Sequence, residues 1–428
     1  MPDLHIEKLD SRGRGVAMHG DLPVICDGAL PGELVRIEQS EQSRRILKAQ
    51  SYSVVRPVEA RITPLCRYFG ECGGCQLQQA RYDAQVAYKE SQLKHCLEKY
   101  GDVCPEQWLA SLTSAAYHYR RRVRLGVRTL ANGEVIIGFH RKNHFYLLDI
   151  ETCPILEPRL HLLLGPLHQL VASLSVKQRV PQIEMSCGEQ EVAVVIRHLL
   201  PLSPYDELTL RDFARDNQLI LFTQAQGPES ICPLQVGQTS TLQYSLQRHQ
   251  VRLTFSPTDF IQANASINAQ MLDAVLLQLD IQENDSVLDL YSGIGNFSLP
   301  LARYAHKVTG IEGNPELVAR ARYNADHNGL SNVRFQHADL NSWEPDFKFN
   351  KVILDPPRQG AMNMIKTLSD TADTIVYVSC MPRTLARDAR YLVHRSGYRL
   401  IRAGLIDMFP QTRHIEAIAV FKRGNSVC

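Results

Sequence analysis

The chain has no apolar run long enough to cross a bilayer. Its opening stretch, MPDLHIEKLDSRGRG, carries charges where a secretory leader needs an apolar core. A cytoplasmic protein without membrane attachment is therefore expected. Net charge is also nearly absent: 47 Lys and Arg against 45 Asp and Glu leave +2, so a nucleic-acid partner cannot be inferred from the total. No internal repeat or low-complexity tract is visible, which sets repeat arrays aside.

The remaining composition is ordinary in bulk and uneven in detail. Hydrophobic residues make up 44% and charged residues 21%, and 428 residues suffice for two or three globular domains. Arginine is concentrated in EQSRRILK and YHYRRRVRLGVR. Such patches can meet phosphates, although each alone is better read as the solvated face of a sheet. Eleven cysteines are present. In a reducing compartment disulfides are not expected, so clustered cysteines point to metal or to chemistry. Cys26, Cys96, Cys104, Cys187, Cys232 and Cys428 are scattered and read as small apolar or incidental residues.

Residues 1–55 show short β-prone runs broken by Gly, Asp and Pro, which suits a small barrel. A proline-bearing connector, a cysteine-rich segment and a helix over about 81–100 follow. From about 112 to 260 the pattern is again β, with RVRLGVRTLANGEVIIGFHRK forming a hairpin across Asn-Gly. After about 265, SVLDLY, KVTGIE, VRFQHAD, KVILDPP and TIVYVSC are short apolar strands with helical stretches between most of them. That alternation predicts a mainly parallel sheet with ligands at the carboxyl ends of its strands. The expected fold is multidomain α/β, divided as 1–55, 56–264 and 265–428.

VLDLYSGIGNFSLPLA ends a strand at Asp289 and continues into the turn Gly293-Ile-Gly295. Glycines there let the backbone approach a ligand. The third glycine of a dinucleotide fingerprint is missing, and no lysine stands ready for a pyrophosphate. Glu312 ends the next strand, where its carboxylate can accept from both ribose hydroxyls. Asp339 ends a third, within the reach expected of an adenine amino group. Acids with a glycine turn suit a cationic nucleoside such as S-adenosylmethionine better than a polyphosphate, and NAD(H) stays open. Singly, each acid reads equally well as a helix cap.

KVILDPPRQGA ends a fourth strand at Asp355, and two prolines stiffen the loop to Arg358. TIVYVSC then ends in Cys380, and TRHIEAIAVFKR is a last strand bearing Glu416. A thiol is strongly nucleophilic only as thiolate. A helix starting near Pro382, with Arg358 and Arg383 nearby, could favour that form. A lone cysteine at a strand end more often merely packs; the company of Asp355 and Glu416 favours chemistry.

FSPTDFIQANASIN, DLYSGIGNFSLPLA, DPPRQG, SCMPRTLARD and HIEAIAVF resemble the uridine-C5 RNA methyltransferases. Met381 stands where many members carry Asn or Asp, and Tyr291-Ser292 where Phe-Cys is common. The resemblance implies a C-terminal Rossmann-like class I methyltransferase domain using S-adenosylmethionine. It assigns Cys380 as the nucleophile that adds to C6 of uracil, Glu416 as the base at C5, and Asp355 as a holder of ring or cofactor. It places Gln262, Tyr291, Asn296, Glu312, Asp339 and Asp355 at the cofactor. The target must be single-stranded or flipped out.

PLCRYFGECGGCQLQ holds Cys66, Cys72 and Cys75, and ETCPI holds Cys153. Four thiolates bind an iron–sulfur cluster or zinc equally well. The family resemblance implies a [4Fe-4S] cluster in the central β-rich domain. The N-terminal unit resembles an OB-like TRAM β-barrel, an RNA-binding fold. That pairing implies an enzyme of 23S ribosomal RNA, with a transfer RNA or a second ribosomal uridine as alternatives; a monomer is expected. Two readings from other classes are a base-amino methyltransferase, suggested by Asp-Pro-Pro, and a non-catalytic iron–sulfur RNA-binding protein.

Overall fold

The strands after residue 285 are short and almost wholly apolar, so each must be covered on both faces. In the computed structural model, which describes residues 3–424 apart from 44, 236, 238, 239, 369 and 370, they form the centre of an eight-stranded sheet. Cys428 lies outside the described residues.

The chain first builds β1 (Asp3–His5), β2 (Lys8–Leu9), β3 (Gly15–His19), β4 (Leu22–Cys26), β5 (Leu34–Ser43) and β6 (Ile46–Arg56). They pair in the order β1-β5-β6-β4-β3-β2 around Leu4, Ile6, Val24, Val35 and Ile37. The expected closed barrel is not found. The sheet brings β1 against β3, yet among the described residues no ladder joins the two edge strands. Strands of two and three residues at the edges leave too few ladder groups to close it.

Helix α1 (Tyr82–Cys96) and β7 (Gln107–Trp108) follow. The next unit holds β8 (Arg122–Thr129), β9 (Val135–His140), β10 (Leu147–Asp149), β11 (Gln182–Cys187), β12 (Val192–Arg197), β13 (Ile220–Gln224) and β14 (Ile231–Pro233). These pair as β10-β9-β8-β11-β12-β13-β14. Helices α2 (Pro158–His161), α3 (Leu164–Ser173) and α4 (Pro204–Asp216) accompany that sheet, and β15 (Leu242–Leu246) and β16 (Val251–Phe255) form a separate hairpin. Ser203 caps α4 reciprocally with Asp206, as its Ser-x-x-Asp spacing allows.

The C-terminal unit starts with α5 (Ala265–Leu279) and alternates thereafter. Its elements are β17 (Ser286–Leu290), α6 (Ser298–Ala302), β18 (Lys307–Glu312), α7 (Pro315–His327), β19 (Val333–His337), β20 (Lys351–Leu354), α8 (Met362–Leu368), β21 (Thr374–Ser379), α9 (Pro382–Arg395), β22 (Tyr398–Ile406) and β23 (Glu416–Arg423). The sheet order is β19-β18-β17-β20-β21-β23-β22-β7. β17 to β21 run parallel; β23 inserts antiparallel between β21 and β22. Reversal of that one strand puts its first residue, Glu416, at the edge where the parallel strands end. Among the described residues no helix is long and apolar enough to cross a membrane.

The connector is part of this fold. β7 extends the C-terminal sheet by pairing with β22, and Leu93, Leu97 and Val103 join the core under β20 and β21. Lys89 of α1 is fully buried and meets Asp407 at 2.5 Å and the Phe409 carbonyl at 2.9 Å. Charges withdrawn from water are tolerable only as such a pair. Lys89→Ala should cost about 3–5 kcal/mol of unfolding free energy by stranding Asp407, and Lys89→Met/Asp407→Leu should recover most of it. Urea denaturation of the three proteins measures this.

Candidate active site

Parallel strands deliver their last residues to one edge, and the register shows which ones meet there. Leu354 pairs with Tyr377 and Ser379 with Ala417, so Asp355, Cys380 and Glu416 emerge from neighbouring strands. Asp289, in β17, pairs with Ile353 in the next strand. Glu416 is 3% exposed and Asp289 not at all, whereas Asp355 and Cys380 are half-buried.

Burial dominates the electrostatics. It pushes the Glu416 carboxyl up to about 8, with the Asp355 charge adding to the shift. Burial also raises Asp355 to about 7. Asp289 rises to about 7 through burial, against the pull of its Ser298 hydrogen bond and with the Asp355 charge raising it. The Cys380 thiol is raised as well, first by burial and then by Glu416 and Asp355, with Arg358 opposing. Arg358 thus favours the thiolate as expected from the sequence, but burial and the two carboxylates outweigh it. Arg383 turns away, its guanidinium 4.9 Å from the Tyr100 ring centre, and Met381 leaves the start of α9 without a side-chain cap.

The loop bearing Asp355 is fixed from α9. Thr384 Oγ1 donates to the Arg358 carbonyl at 3.2 Å, and Arg387 Nη2 to the Gln359 carbonyl at 2.9 Å. Buried Asp388 accepts from the Ala361 amide at 2.8 Å and the Tyr377 hydroxyl at 2.9 Å. The turn passes so close that a Cβ on Gly360 would lie 2.6 Å from Asp388 Oδ2. Thr384, Arg387 and Asp388 were visible in the sequence only as a pattern; their work is to hold the neighbouring loop.

Gln262 comes from the other side, buried, with Nε2 3.4 Å from Asp355 Oδ2. Glu312 is half-buried and accepts from the Gly293 amide at 3.0 Å and the Asn314 amide at 2.9 Å. It therefore ties the glycine turn to the approach of α7. Tyr291 sits in the left-handed region, φ 66°, where the chain leaves β17. Asp339 is exposed, two strands from β17, and accepts from the Asn341 amide at 2.9 Å. Asn296 faces elsewhere: its side chain exchanges hydrogen bonds with Asn268 of α5 at 2.9 and 3.0 Å and accepts from Tyr244 at 2.9 Å.

Glu416 is held by a loop whose partners sequence reasoning missed. Gln411, at φ 69°, exchanges hydrogen bonds with the Gln85 side chain, both at 3.0 Å. Its carbonyl accepts from the Gln76 and Leu77 amides at 3.1 and 3.0 Å. Tyr119 donates to the Pro410 carbonyl at 2.9 Å. The strand that starts with Glu416 is thereby anchored to the segment just after Cys75.

Cys66, Cys72, Cys75 and Cys153 stand apart from these acids, around a cavity of about 310 Å³ that Arg120 and His414 also line. All four are free thiols. Burial pushes Cys75 up to about 12 and Cys153 to about 11, and charge on neighbouring cysteines would raise both further. Among the described residues no three His, Cys, Asp or Glu are arranged to hold a single metal ion.

A glycine turn between acid-tipped parallel strands, with further polar groups at the same edge, defines a Rossmann-like methyltransferase domain. The chain belongs to the tRNA (Uracil-5-)-methyltransferase family, whose family model matches residues 81–423. It is 44% identical to the 23S rRNA (uracil(1939)-C(5))-methyltransferase RlmD of Alkalilimnicola ehrlichii, over 98% of this chain and 96% of that one. It is 41% identical to the protein of the same name from Nitrosospira multiformis, over 98% of each. The crystal structure of the Pyrococcus abyssi tRNA (uracil-54, C5)-methyltransferase in complex with S-adenosyl-L-homocysteine has the same fold. It aligns with 98% of this chain and 100% of its own, with a TM-score of 0.77 and 24% identity.

The buried acids make stability depend on pH in a definite direction. Folding raises the Glu416 carboxyl above its ordinary 4.5, so the folded chain binds the proton more tightly than the unfolded one. Stability should accordingly fall as pH rises from about 4.5 to about 8. Glu416→Gln removes that charge, so its melting temperature should gain on the wild type by a few degrees between about pH 5 and about pH 8.5. Paired thermal melts at the two pH values check the sign.

Proposed function

We propose that the protein transfers a methyl group from S-adenosylmethionine to C5 of a uridine in 23S ribosomal RNA. The observation that carries this reading is the convergence of Cys380, Glu416 and Asp355 at one edge of a methyltransferase sheet, in a chain 44% identical to an RlmD. When bound, S-adenosylmethionine supplies an electrophilic methyl group and a positive charge. Positive charge among these carboxylates lowers the cost of ionising both the acids and the thiol. After releasing its proton to solvent, Cys380 would add as thiolate to C6 of the flipped-out ring and push the C5–C6 pair into an enolate; C5 would then take the methyl as the sulfonium–methyl bond breaks and S-adenosylhomocysteine leaves. The ionised Glu416 carboxylate removes the C5 proton, the double bond reforms, and sulfur leaves. Gln262 and Asp355 orient the ring or the cofactor between them. Glu312 and Asp339 take the nucleoside hydroxyls and base, Tyr291 borders the cofactor, and Asn296 stiffens the turn from behind.

We further propose that Cys66, Cys72, Cys75 and Cys153 hold a [4Fe-4S] cluster. Four free thiols around a shared cavity supply the donor set of such a cluster, and the family resemblance favours it over zinc. Residues 1–55 would serve as a TRAM-like RNA-binding unit, 56–264 as the cluster-bearing unit and 265–428 as the methyltransferase. The protein would work as a monomer in the cytoplasm.

Cys380→Ala should bind RNA and cofactor yet form no 5-methyluridine, as mass spectrometry of the RNA would show; normal turnover would exclude it as nucleophile. Glu416→Gln should accumulate a covalent RNA–protein complex that survives a denaturing gel. Absence of that band in an otherwise inactive variant would remove Glu416 as the base. Purified protein should be brown and carry about four irons per chain, lost in Cys75→Ser. Colourless protein with one zinc per chain would overturn the cluster.

A further inference from the structure

The central sheet carries an exposed aromatic that nothing above employs. Phe145, on the hairpin between β9 and β10, is 78% exposed, and its ring lies 4.7 Å from the ring of Tyr146, tilted by 38°. With Tyr146, 52% exposed, it forms a contiguous pair of aromatic side chains at the surface. The hairpin is anchored. Arg141 pairs with Glu71 at 2.6 Å, and Lys142 with Asp27 of the N-terminal unit at 2.7 Å. His140 Nδ1 lies 2.9 Å from the Phe145 carbonyl.

Beside the ring is a cavity of about 440 Å³ bordered by Arg124, Arg128, His140, Phe145 and Leu147. Its floor exists because two glycines pair across the sheet, Gly126 with Gly138. A Cβ on Gly126 would stand 2.6 Å from Leu147 Cδ2, and one on Gly138 2.1 Å from the Leu148 carbonyl oxygen. The glycines thus let Leu147 and the β10 backbone pack closely over β8 and β9, beside the arginines that border the cavity. Arg128 is exposed and has no ion-pair or hydrogen-bond partner among the described residues. Arg124 borders both this cavity and the adjoining one containing Phe260, which is 68% exposed and two residues before Gln262. Arg124 thus links the two cavities.

We propose that the cavity beside Phe145 is a second nucleobase site: an unpaired base of the substrate RNA, some nucleotides from the target uridine, stacks on Phe145 while its phosphate meets Arg128. An aromatic face with a free cation beside it matches a single-stranded nucleotide, which presents a flat ring and a negative charge a few ångströms apart. The inference rests on the RNA-methylating reading above. A second site outside the reacting pocket would fix which stretch of strand is presented to Cys380, and so contribute to choice of substrate.

The test uses the full-length, cluster-loaded protein and a single-stranded fragment of 23S ribosomal RNA. One 2-aminopurine is moved position by position along it. Wild type should quench the fluorescence at one position away from the flipped uridine. Phe145→Ala should abolish that quench and weaken binding about tenfold, while Phe145→Trp keeps both. Arg128→Ala should lower the dependence of log K on log salt by about one ion. Unchanged cofactor affinity and melting temperature in Phe145→Ala would show that the loss is local. Equal RNA affinity and quenching in wild type and Phe145→Ala would overturn the site and assign the patch to a protein partner. A wild type that neither binds nor methylates RNA would overturn the function reading and this inference together.

Discussion

Two carboxyl groups and a thiol share one water-poor edge of the sheet, and neither acid can ionise without raising the cost of the other or of the thiol. Glu416 and Asp355 are both held well above the ordinary carboxylate range. Much of the surrounding structure can be understood as what keeps this costly arrangement in place. β23 must run against its neighbours to bring Glu416 to the edge. Asp388, Thr384 and Arg387 must hold the Asp355 loop, and a neutral resting thiol follows from the same crowding. A thiol held protonated is less open to oxidation, because the thiolate is the reactive form.

The segment around the cysteine cavity is structurally continuous with this edge. Gln411 is bonded on one side to Gln76, Leu77 and Gln85, and five residues later the chain becomes Glu416. His414 borders the cysteine cavity itself. The segment that borders that cavity therefore braces the loop leading to Glu416. The buried Lys89–Asp407 pair fastens α1 to the beginning of the same loop. The cysteine-bearing connector and the catalytic sheet behave as one packed body here.

The parallel core was legible because its strands repeat a simple signal: short apolar runs with acids or cysteine at the end, separated by helices. The same periodicity brought Asp289, Glu312, Asp355 and Cys380 to notice. The N-terminal unit was legible as a small β fold but not in its closure. Whether edge strands meet depends on their length and curvature, and β1 and β2 are too short to reveal either in a sequence. Asn296 shows another limit. Its place in the glycine turn is plain from the sequence, but its side chain answers to Asn268 and Tyr244, which only folding brings near.

The sequence by itself determined the alternation of strands and helices, the residue types at the strand ends, and the four cysteines available as ligands. These are local properties, set by side-chain periodicity and turn chemistry along a few residues at a time. Tertiary structure alone decided that Glu416 faces Cys380, that Arg383 does not, and that Gln411 ties one to the cysteine segment. Those outcomes depend on strand order and direction, on burial, and on hydrogen bonds between residues hundreds of positions apart. No local pattern encodes how much water is excluded from a side chain, and at this edge that exclusion is what raises Asp289, Asp355, Cys380 and Glu416.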